Sequence, residues 1–166
     1  MAVPETIEPV LVSLERMPAD LAAAARALGP DRWPDAPEGG FCMVEQAWHL
    51  ADLEREGYGE RIRRLRAETD PLLPDFDGAR IAKERSYREK SVAEGLAAFA
   101  AARAENLRLL RAAPPEAWAR AGRQEGVGPV TLADVPRMMC EHDDSHRAEL
   151  AALLGGAGSP GLSASA

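Results

Sequence analysis

Apolar positions along the chain recur at helical intervals in four stretches. Residues 4 to 28 carry Ile7, Leu11, Leu14, Met17 (or Pro18), Leu21, Ala25 and Leu28, steps that line one face of a helix. Pro18 is expected to bend or split it, and Gly29-Pro30 to end it. After a Pro- and Gly-rich loop, residues 41 to 68 repeat the pattern through Val44, Ala47, Ala51, Tyr58, Ile62 and Leu65. Gly57 and Gly59 weaken the middle of that stretch, and its charged end, ERIRRLRAE, is expected to run into solvent. Residues 69 to 87 read as a long connection that packs across the other elements through Leu72, Leu73, Phe76 and Ile81. A third helix, capped by Ser86 or Ser91, places Val92, Leu96, Phe99, Leu107 and Leu110 on one face and stops at Pro114-Pro115. The last stretch starts at Thr131 or, because of Pro136, at Asp134. It carries Leu132, Val135, Met139, His142, His146, Leu150 and Leu153 in one stripe.

Sustained apolar/polar alternation is missing and β-branched residues are few, so no strands are expected. Four long helical stretches with two long links predict an all-α four-helix bundle. Residues 1 to 154 would form one such domain, and the Gly/Ser/Pro/Ala-rich residues 155 to 166 a flexible tail.

Composition narrows the function classes. The chain has 166 residues, is 46% hydrophobic and 28% charged, and carries a formal charge of -7. That charge argues against a nucleic-acid surface. No apolar run approaches the roughly 20 residues that span a bilayer, and the N-terminal residues lack the basic-then-apolar pattern of a signal peptide. Cys42 and Cys140 lie far apart, in no CxxC spacing, and read as reduced residues. The expectation is a cytoplasmic protein without nucleic-acid or membrane partners.

The candidate chemistry lies in the three histidines. His142 and His146 are four residues apart and share a helix face. His49 sits in AWHLADLE of the second stretch, turned about 140° from Val44 on an ideal wheel. That puts it off the apolar seam, beside Glu45, Asp52 and Glu56. Neutral imidazole is the commonest metal ligand, and three from two helices make a site with open positions. Glu45 and Asp52, about one turn either side of His49, are candidate general bases or hydrogen-bond partners of an imidazole. Cys42 lies roughly 10 Å along the helix from His49 and Cys140 points away from His142, so a Cys/His zinc knot is not expected. Glu-x-x-His and His-Glu-x-x-His are both absent, which sets aside a di-iron bundle and a zinc protease.

With WHLADLE (48 to 54), EHDDSHRAEL (141 to 150), DPLLPDFD ahead of Tyr87, and GPVTLADV (128 to 135), the chain resembles the DinB/YfiT-like family of small bacterial metal-binding four-helix bundles. The likeness covers most of residues 5 to 154. It implies that one divalent transition metal ion, zinc first and nickel or iron next, is held by His49, His142 and His146. Leu53 stands where many members carry an aromatic residue, and Glu149 where glutamine is frequent. Some members resemble thiol-dependent S-transferases, and the family often pairs through helices, which makes a homodimer compatible with it.

Two functions follow. One is a metal-dependent enzyme, of thiol S-transferase or hydrolase type, acting on a small molecule and using Glu45 or Asp52 as base. A low-molecular-weight thiol would be a co-substrate. The other is a non-catalytic metal-binding stress-response or ligand-binding protein. Three incidental histidines with no metal form the remaining reading.

Overall fold

In the computed structural model, residues 3–156 are described. Helix α1 (Glu8–Leu28) is followed by α2 (Met43–Asp52), which passes through a π-helical turn (Leu53–Tyr58) into α3 (Gly59–Ala67). The short α4 (Gly78–Glu84) precedes α5 (Val92–Arg111) and α6 (Asp134–Gly155). The unit α2–π–α3, together with α1, α5 and α6, makes the four-helix bundle, with α2 packed on α5 and α1 on both α5 and α6. No described helix is long and apolar enough to cross a membrane. Residues 157–166, most of the expected tail, lie outside the described residues.

Most apolar positions in the predicted seams are buried. Val44, Ala47, Ala51, Tyr58, Ile62 and Leu65 all face inward. Ser91, not Ser86, caps α5 by accepting the Glu94 N–H at 3.2 Å. Thr131 stays outside α6, where its N–H and hydroxyl both donate to Asp134.

Three expectations need correcting. First, α1 runs unbroken through Pro18. Proline supplies no N–H to the Leu14 carbonyl four residues back; Arg103 Nη1 donates there instead, at 2.9 Å. Second, strands do form. Leu72–Leu73 (β1) pairs in parallel with β2 (Ala121–Gln124), which pairs antiparallel with β3 (Gly128–Thr131). These strands are two to four residues long, too short to show alternation. Third, the charged end of the second stretch does not simply enter solvent: α3 belongs to the bundle, and Arg61 is buried.

The core has two apolar clusters. One gathers Ile7, Leu11, Leu14, Tyr58, Ile62, Leu107, Val135 and Met139. The other gathers Met17, Leu21, Met43, Ala47, Leu50, Phe99 and Leu150. Along α5 and α6, buried polar side chains stand between the two: Arg103 separates Phe99 from Leu107, while Asp143 and His146 separate Met139 from Leu150.

Candidate metal centre

His49 comes from α2; His142 and His146 are one turn apart on α6. The folded chain brings all three together, and one ligand atom from each lies within 4.8 Å of the others. His142 Nε2 is 3.4 Å from His49 Nε2 and 3.1 Å from His146 Nε2. Ligand bonds near 2.1 Å place neighbouring nitrogens on one ion roughly 3.0–3.4 Å apart. The donor set therefore fits a metal ion in both kind and spacing.

His146 is oriented from behind. Its Nδ1 faces Gln46 Oε1, and the Gln46 amide donates to Glu149 Oε2 at 2.6 Å. Glu149 accepts from Gln46, so the carbonyl oxygen of Gln46 is left to accept from an Nδ1–H. That tautomer exposes the Nε2 lone pair to the other imidazoles. Gln46 is fully buried on α2. The sequence reading missed it; its position one turn before His49 was the available signal.

His49 is held sterically. It is 8% exposed, with Phe41 at 5.1 Å and Phe76 at 6.2 Å between ring centroids. A Cβ built on Gly78, the first residue of α4, would collide with His49 Cε1 and come within 2.6 Å of its Nδ1. The backbone of Gly78 thus lies against the ring, and Nδ1 has no hydrogen-bond partner among the described residues. On an ideal helical wheel His49 falls on an open polar face. The connection between α3 and α5 instead folds over that face, which periodicity within one helix cannot reveal.

Burial, then His146 and His142, pushes His49 down to about 3. Burial, then His146, takes His142 to about 4, and burial alone brings His146 to about 4. All three rings are therefore neutral at pH 7, the form that ligates metal.

The other candidates are bonded elsewhere. Glu45 closes a capping box, accepting the Cys42 N–H at 3.0 Å, and it also accepts from Arg88 Nε at 3.1 Å. Burial opposes its charge, yet these bonds hold its carboxyl below the usual range. Asp52 is buried and accepts from Tyr87 Oη at 2.5 Å, Arg85 Nη1 at 2.6 Å and Arg55. Those bonds likewise outweigh burial and keep it below the usual range. The cavity beside the histidines, about 260 Å³, is lined by Glu149, Ser145, Phe41 and Ala79. Glu45 lines a neighbouring cavity of about 360 Å³ that shares Phe41 and Ala79.

Comparison with known proteins adds three findings. The family model described as DinB superfamily matches residues 13–150. Among solved structures, the chain is similar to YfiT from Bacillus subtilis, with a TM-score of 0.85 and 19% sequence identity, covering 95% of this chain and 91% of that one. YfiT is described as a probable metal-dependent hydrolase with an unusual four-helix bundle topology. No curated protein matches.

Proposed function

The chain belongs to the DinB superfamily, and on that premise we propose that it is a mononuclear divalent-metal enzyme acting on a small molecule, with His49, His142 and His146 as ligands. One observation carries the reading: three neutral imidazoles whose Nε2 atoms are 3.1 and 3.4 Å apart along the chain of contacts. Three nitrogen ligands leave coordination positions for a reactant. A bound ion of this kind supplies Lewis acidity, which makes a water or thiol nucleophilic at neutral pH.

The protein's own residues do the rest. Gln46 fixes the His146 tautomer. Gly78, Phe41 and Phe76 hold His49 and keep water from its far side. Glu149 is the carboxylate in the histidine cavity and is assigned to take up the proton released by the nucleophile. Glu45 and Asp52, committed to Arg88, Tyr87 and Arg85, are assigned to positioning α2 and the segment that covers it. Hydrolysis is the favoured chemistry, supported by the description of YfiT. Thiol S-transfer with a low-molecular-weight thiol is the second.

Elemental analysis of untagged protein should find about one transition-metal ion per chain. Turnover of a chromogenic ester that is lost on chelation and restored by metal would support the hydrolase. Conjugation of a chromogenic electrophile only when a thiol is present would favour the transferase. Metal binding with no turnover of either would favour a ligand-binding protein, and absence of metal would overturn the proposal.

A further inference from the structure

A cavity of about 210 Å³ lies where the chain leaving α1 crosses the starts of α2 and α5. It shares no residue with the cavity beside the histidines, and Cys42, at its end of α2, is roughly 10 Å along the helix from His49. Its walls are apolar: Pro30, Trp33, Pro34, Val44 and Val92. The indole N–H of Trp33 already donates to the Ala25 carbonyl at 2.9 Å, so that ring offers a ligand apolar surface only. Cys42 adds a buried thiol, which burial above all pushes up from its ordinary value and keeps uncharged at pH 7.

The charged lining is all of one sign. Arg88 and Lys90 line the cavity, and no carboxylate among the described residues does, in a chain of net charge -7. Arg88 is half engaged: its Nε donates to Glu45 Oε1 at 3.1 Å, while its two terminal nitrogens form no hydrogen bond among the described residues. Lys90 has no ion pair among the described residues; its ammonium lies over the Trp48 ring, 4.5 Å from the centroid. That ring is fixed by its own N–H, which donates to the Ser91 carbonyl at 2.9 Å. An aromatic face positions an ammonium without neutralising it. With Arg88 balanced by Glu45, the uncompensated charge is that of Lys90. We propose that this cavity binds a small monocarboxylate with one apolar ring, the ring against Trp33, Val44 and Val92 and the carboxylate between Lys90 and the free fork of Arg88. Drug-sized ligands fill roughly 300–1,000 Å³, so about 210 Å³ suits a single ring. A carboxylate matches the guanidinium fork and one free positive charge; a phosphate dianion exceeds that charge. The site stands apart from the histidines and does not depend on the metal reading above.

The test is calorimetric titration of the full-length, zinc-loaded protein with benzoate, its neutral counterpart benzamide, acetate and phenyl phosphate. Wild type should bind benzoate about tenfold or more tighter than benzamide, the scale of a hydrogen bond to a charged group. Acetate, with the charge but no ring, should bind at least about tenfold more weakly than benzoate. Lys90 is exposed, so Lys90→Met should fold as wild type does by circular dichroism. It should erase the preference for benzoate over benzamide and leave benzamide binding unchanged, while Lys90→Arg should keep the preference. Trp33→Leu should weaken benzoate and benzamide together, because it removes a wall and no charge. Absence of benzoate binding, or equal binding of benzoate and benzamide to wild type, would overturn the site. So would a preference that survives Lys90→Met, or ring binding untouched by Trp33→Leu. Acetate as tight as benzoate would place the carboxylate on the zinc ion and not in this cavity. Tighter binding of phenyl phosphate than of benzoate would overturn the monocarboxylate assignment. A protein that takes up no zinc would sink the metal reading alone, since the same titrations of the metal-free protein still decide this one.

Discussion

At the scale of single residues, the site depends on three nitrogen lone pairs pointing at one place. Neutral imidazoles carry a proton on one nitrogen only, so each ring must keep its Nε2 bare. Gln46 enforces this for His146 from the neighbouring helix, and Glu149 in turn fixes which way the Gln46 amide faces. Replacing Gln46 with leucine keeps the helix and the approximate volume but removes that control. Metal affinity should fall roughly 10–100-fold, as for other losses behind a ligand, measured by competition with a chromogenic chelator. His146→Ala removes a ligand outright and should bring metal content from about one ion per chain to near zero after dialysis. A His146→Ala protein with full metal content would remove that residue from the ligand set.

At the scale of elements, the α2–π–α3 unit and the segment that closes over it shape the site. A π-helical turn widens the backbone by one residue and often marks a functional site. Here it frees the Glu54 carbonyl, which accepts from Gly59 N–H and also from Asn106 Nδ2 at 2.7 Å. A side chain on Gly59 would meet that carbonyl and Asn106 Oδ1, both at 2.9 Å, which is the physical reason for glycine there. Gly78 plays the matching part in the covering segment. Gly78→Ala should press on His49 and lower metal affinity at least about tenfold, while circular dichroism of the metal-free protein stays unchanged. Asp52 ties that segment down through Tyr87 and Arg85. Its folded-state pKa is depressed, so its contribution is present above the unfolded value of about 3.9 and is lost as pH falls through the lower folded value. The stability gap between wild type and Asp52→Asn, read by urea unfolding, should be flat from neutral pH to about pH 5 and shrink in more acid solution. The sequence makes the four helices and the three histidines legible because each follows a period or a spacing within one element. Gln46, Gly78 and the burial of His49 depend on what crosses from another element. The π turn leaves only two weak glycines as its trace, and the small sheet has strands too short to carry a pattern.

At the scale of the whole molecule, the bundle is organised around a charged layer between two apolar clusters. Arg103 has five N–H donors, and five bonds take them up: two to Glu54, two to Asp143 and one to the Leu14 carbonyl. One guanidinium thus joins α1, the π turn, α5 and α6. Burial opposes its charge, but the two carboxylates more than offset that and hold it protonated. Asp143 adjoins His142, so the layer also sets the register of α6 against α2, where the histidines meet. Because every partner is buried, removing the arginine alone strands two carboxylates in the core. Arg103→Met should therefore lose about 3–5 kcal/mol in urea unfolding, the scale for breaking a buried pair, against a total of roughly 5–15 kcal/mol for a domain. If stranded charge is the cause, adding Glu54→Gln and Asp143→Asn to Arg103→Met should recover much of the loss, since neutral amides bear burial better than carboxylates. The triple variant would fold yet lack the cross-link between α6 and the π turn, so its metal affinity should stay below wild type while its stability returns. Recovery of both together would show that the layer serves stability alone and does not align the histidines.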